Sequence, residues 1–175
     1  EAFRAIVAEL ADANFREKEA IAGRLLSAGH PGVRGVLTAL MDGRVFIRER
    51  DAQAFVVEST AEDLAEFALL DPASQEPVGS APPDQLNRVI TNNQLRRFLR
   101  TSLARFSLAS TEASVRRDAV REILRSLDAS DVELVRAQAE EEDDAAVAYE
   151  IETVLALVAL DDRDARVRSE GVSRL

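Results

Sequence analysis

The spacing of apolar residues changes twice along this 175-residue chain, from helical to strand-like at Arg44 and back to helical at Asp84. That alternation restricts the fold more than any single motif, because a helix buries every third or fourth residue and a half-buried strand every second. Phe3, Ile6, Val7 and Leu10 share one face of a first helix that ends near Asp12. Asn14 is suited to cap a second, since its side-chain oxygen can accept from backbone N–H groups that the first turn leaves unpaired. In that helix Ile21, Leu25 and Leu26 face inward, and Arg16, Glu17 and Lys18 are expected to face solvent. Gly29-His30-Pro31-Gly32 stops it. Val33, Val36, Leu37 and Leu40 then form a third short helix, closed by Asp42-Gly43.

Between these helices (1–43) and the later helical region (84–175), residues 44–83 read as a β-containing insertion. Val45 and Ile47, then Phe55, Val56 and Val57, are β-branched or aromatic and flank the polar tract from Arg48 to Gln53, which predicts two short strands and a loop. Phe67–Leu70 and the neighbourhood of Pro77-Val78 add short extended pieces, broken by Asp71-Pro72 and ended by Pro82-Pro83.

From Asp84 the helical spacing resumes through Leu86 and Ile90. Asn92-Asn93 then caps a helix whose apolar stripe is Leu95, Phe98, Leu99, Leu103 and Phe106, with Arg96, Arg97, Arg100 and Arg105 mostly off it. Later stretches open alike at Val115-Arg116, Val147-Ala148 and Val167-Arg168, at unequal intervals. Val115, Ala119, Ile123, Leu124 and Leu127 share a face, the chain turns at Asp128–Asp131 into a helix with Val132 and Val135, and Val147, Ile151, Val154, Leu155 and Val158 repeat the stripe. Helix pairs that stack on their neighbours form an α-solenoid. The expected fold is therefore mainly α, an irregular HEAT-like α-solenoid of stacked helix pairs with a small β-containing insertion, one compact domain overall. Val167, Val172 and Leu175 open a helix without a partner, and Glu1 stands where a natural start would place Met, so the chain is expected to be a piece of a longer one.

Composition narrows the function. Hydrophobic residues at 46% and charged residues at 31% suit a folded domain and not a disordered tail. A net charge of −10 argues against nucleic acid, whose phosphates are neutralised by clustered Lys and Arg. Without Cys there is no disulfide, thiolate metal site or Cys nucleophile. No apolar stretch approaches the roughly 20 residues of a membrane-spanning helix. The lone imidazole, His30, sits between Gly29 and Pro31 and reads as a turn histidine in solvent; no triad, phosphate loop or paired-His metal motif accompanies it. Glu140–Asp144 are five consecutive carboxylates that lack the alternating ligands and central Gly of a calcium loop, so they read as a solvated turn. Arg96, Arg97 and Arg100 have no exposed aromatic residues between them and read as a solvated face, and Tyr149 as part of the packing. Catalytic, cofactor and metal residues are accordingly expected to be absent, and binding residues are unassigned.

Four stretches in order carry a resemblance: Phe15–Ile21, Leu40–Arg48, Asn92–Arg97 and Val115-Arg116. Together they resemble the N-terminal soluble region of the UrtB family, the permease subunits of urea-type ABC transporters within the branched-chain amino-acid permease class. Phe46 stands where that family often has Tyr, and Gln94 where it often has Arg. The resemblance implies a periplasmic, HEAT-like interaction or regulatory region that acts by protein contact and not by catalysis. It also implies a longer polypeptide continuing into a multi-span, urea-conducting permease. Implied partners are the membrane portion of the same permease and the urea-binding protein, with no cofactor and no nucleic acid. Two other readings stand beside it: a free-standing HEAT-like scaffold in the cytosol, distinguished by whether hydrophobic spans follow Leu175, and an enzyme, disfavoured by the absent motifs.

Overall fold

The computed structural model describes residues 1–61, 63–126 and 129–160. The expectations placed on Leu127, Asp128 and residues 164–175 lie outside them. The chain divides into two compact units, Glu1–Leu99 and Arg100–Leu175.

The first unit is α/β. Its helices are α1 (Ala2–Ala8), α2 (Phe15–Ser27) and α3 (Val33–Met41), followed by strands β1 (Val45–Arg48), β2 (Gln53–Val57), β3 (Phe67–Leu70), β4 (Pro77–Ala81) and β5 (Leu86–Arg88). All pair antiparallel in one five-stranded sheet of order β4-β3-β2-β1-β5. Register explains why these segments are so apolar: Val45 opposes Val56 and Ile47 opposes Ala54 on the face toward the helices, while Phe46 opposes Phe55 on the other. The helix-side residues join Phe3, Val7, Leu10, Ile21, Leu25, Val36, Leu37 and Leu40 in one core, to which Leu95 and Leu99 also belong. Phe46, Phe55, Val57, Phe67, Leu69, Ala81 and Leu86 form a second cluster on the opposite face. Buried on both faces, a strand such as β2 reads as a continuous apolar run and not as an alternation.

This overturns the mainly α, HEAT-like solenoid with a small insertion. Of the described residues 56% are helical and 14% lie in a five-strand sheet around which the first unit is built. The decisive stretch is 84–90, expected to resume helix. Instead Pro83–Gln85 form a single 3-10 turn, Leu86–Arg88 pair with β1, and Ile90 is 65% exposed. Leu86 and Ile90 stand four apart, which imitates helical spacing, but pairing with β1 satisfies the backbone of this segment instead.

Helix α4 (Asn93–Ser107) runs from the first unit into the second, which continues with α5 (Ala113–Ser126), α6 (Ala129–Glu141) and α7 (Ala145–Leu160). Here α7 packs on both α5 and α6. The expected stripes are buried: Ala119, Ile123, Val135, Val147, Ile151 and Val154, with Ala104, Leu108 and Val120, make its core. Phe106 and Tyr149 are corrected, being exposed by 37% and 68%.

Candidate functional site

One enclosed arrangement of polar groups in the first unit is set by the start of α2. Asn14 Oδ1 accepts from the N–H groups of Arg16 and Glu17, both at 3.0 Å, and Glu17 Oε2 accepts from Asn14 N–H at 2.7 Å. This reciprocal cap fixes the first turn. One turn further on, Lys18 lies on the same face as Ile21, Ala22 and Leu25, and only 7% of it is exposed. Its Nζ donates to the carbonyl of Ile90 at 3.0 Å and stands 5.4 Å from the centre of the Phe15 ring. The expectation that Lys18 faces solvent is therefore wrong. The signal was present, because Lys18 precedes Ile21 by three residues and Leu25 by seven, both helical intervals.

Around Lys18 opens a cleft of about 360 Å3 that also takes in Asp12, Ile47, Glu49, Asn87 and Ile90. Asn87 opposes Ile47 across β1 and β5, so it shares the helix-side face with it. Arg48 and Arg88 line the cleft as well, while their guanidinium groups lie against aromatic rings of the other face: Arg48 stands 4.5 Å over Phe55 and is held by Asp51, and Arg88 stands 5.3 Å over Phe46. Burial pushes the Lys18 ammonium below the usual lysine range.

Two of the resembling stretches touch here directly, through Gln94 and Glu19, and a third reaches the cleft through Ile47 and Arg48. Lys18 reaches Ile90, Gln94 Nε2 donates to Glu19 Oε1 at 3.3 Å, and Ile47 and Arg48 on β1 pair with Asn87 and Leu86 on β5. Asn92 caps α4 as expected, its Oδ1 accepting from Leu95 N–H at 2.8 Å.

The remaining candidates are dispersed. His30 is half-buried and not in free solvent: its ring stacks on Phe3 with centres 4.2 Å apart, and its Nδ1 accepts from Gly32 N–H at 3.0 Å. Arg96 donates to Thr91 Oγ1, and Arg100 pairs with Glu122 at 3.3 Å. The acidic run is not uniformly solvated. Asp144 caps α7 through Ala146 and Val147, and the Glu142 carboxylate is fully buried against Arg116. Among the described residues no group of three or more acidic or histidine side chains is placed to hold a metal ion. Among them also no helix is long and apolar enough to cross a membrane. The chain matches no protein-family model, no curated protein and no solved structure.

Proposed function

We propose that this chain is an extracytoplasmic interaction region of a urea-type ABC transporter permease and works by protein contact. The observation that carries the reading is the ordered resemblance of Phe15–Ile21, Leu40–Arg48, Asn92–Arg97 and Val115-Arg116 to that family. A surface feature supports contact as the mode of action. Phe15 and Ile90 are exposed by 42% and 65%, and both lie at Lys18, so two large apolar side chains stay outside the core beside a buried cation. Grouped apolar side chains rimmed by polar ones suit a protein partner. In this reading the partner is the membrane portion of the same permease or the urea-binding protein, on the periplasmic side.

The test is made in the intact transporter. Deleting the region, with membrane insertion kept at normal levels, is expected to impair urea uptake or its coupling to the binding protein. Phe15→Ser with Ile90→Ser is expected to do the same while the isolated region keeps its melting temperature. Unchanged uptake rate and affinity in both would refute the proposal.

A further inference from the structure

Lys18 is a buried cation with no anion of its own. No carboxylate of the described residues lies within ion-pair distance of it, and of its three N–H donors one is used, on the Ile90 carbonyl. Burying a charge is costly unless it is paired. The cleft around it is lined by Asp12 and Glu49, both exposed, by Arg48, Arg88 and the exposed Asn87, and by Ala11, Ile47, Ala52 and Val89, which supply apolar wall.

We propose that this cleft binds a short-chain monocarboxylate, its carboxylate seated on the Lys18 ammonium beside the Asn87 amide and its alkyl part against Ile47 and Val89. The ligand supplies the counter-ion that the chain does not. The apolar wall favours an alkyl group over a bare inorganic ion. A cleft of about 360 Å3 lies within the range of small-molecule sites. The depressed ionisation of Lys18 agrees with an ammonium held away from both water and carboxylates. The proposal stands apart from the transporter reading, because it concerns a property of the isolated unit.

Butyrate is titrated into the purified protein while the Lys18 13Cε resonance is followed, with sodium sulfate and methylammonium chloride as controls. A saturable shift with butyrate, and none with either control, is expected. Lys18→Met is expected to weaken butyrate binding by about tenfold or more, as the loss of a charge-assisted contact implies. No saturable shift at Lys18, an equal response to the controls, or undiminished binding by Lys18→Met would overturn the proposal. Should Lys18→Met fail to fold, the wild-type resonance still decides.

Discussion

The Arg116 guanidinium grips the Glu142 carboxylate at two points, Nε to Oε2 at 2.8 Å and Nη2 to Oε1 at 2.6 Å. The carboxylate also accepts from Gln138 Nε2 and from Asp144 N–H, both at 3.0 Å. Arg116 Nη1 donates in turn to the carbonyls of Ser110 and Thr111. One residue on α5 thus holds the segment before it and the connection between α6 and α7, with every acceptor in place. A planar fork facing a carboxylate is the geometry in which an ion pair adds specificity as well as energy.

Removing one partner from this network leaves the other buried without compensation. Glu142→Leu is expected to lower the melting temperature by roughly 5 °C, and Glu140→Leu, on the exposed side of the same acidic run, to leave it nearly unchanged. Arg116→Met combined with Glu142→Leu should cost less than the two single changes added together. Calorimetry on the four proteins reads the coupling, and simple additivity would show that the pair does not act as a unit.

Acid should unfold the protein through two carboxylates. The hydrogen bond from Arg116 holds Glu142 at about 2 against an ordinary 4.5. At Asp71 burial pulls upward, but the hydrogen bonds from Arg4, Ser74 N–H and Ala73 N–H outweigh it and bring the group to about 2 against 3.8. Both are depressed on folding, so their stabilisation is present above the unfolded values and is lost as the pH falls from about 4.5 toward 2. Urea melts across that window are expected to show falling stability, with a shallower fall in Glu142→Gln and in Asp71→Asn. Identical slopes in wild type and variants would contradict this.

Two glycines should respond oppositely to alanine. A Cβ on Gly32 would stand 2.6 Å from the Ala73 carbonyl oxygen and 2.7 Å from that of Pro72, where the β3–β4 loop crosses the start of α3. Backbone on both sides cannot yield cheaply, so Gly32→Ala is expected to cost about 1–3 kcal/mol. Gly23, inside α2, has open space where a Cβ would stand, with no atom within 4 Å, and Gly23→Ala is expected to stabilise by about 0.5–1 kcal/mol. Denaturant midpoints of the two variants should move in opposite directions.

His30 holds a turn. As a histidine free in solvent it would be replaceable without effect, but its stack on Phe3 and its bond from Gly32 N–H make His30→Ala a loss of about 1 kcal/mol. His30→Phe, which keeps the stack and not the acceptor, is expected to fall between that and wild type. Equal melting temperatures for all three proteins would show that neither contact matters.

Much of this architecture was legible locally. Asn14 and Asn92 cap their helices as their positions before apolar stripes imply, and Val45–Arg48 with Gln53–Val57 form the expected hairpin. Lys18 was legible too: three residues before Ile21, it follows the same helical arithmetic that placed Ile21 and Leu25 inward. Its setting was not, because the Ile90 carbonyl and the Asn87 side chain come from a strand and its exit, whose existence no nearby residue announces.

The amino-acid sequence by itself determined where most helices begin and end and which residues each would bury. Those choices rest on side-chain periodicity, capping and turn chemistry, all of which act within a few residues. The tertiary structure alone decided that five short segments close into one sheet, that Leu86–Arg88 extend and do not coil, and that Glu142, of five neighbouring carboxylates, turns inward. For a three-residue strand and for a charge in an acidic run, local preferences nearly balance. The outcome is then set by a distant partner: β1 for the strand and Arg116 for the carboxylate.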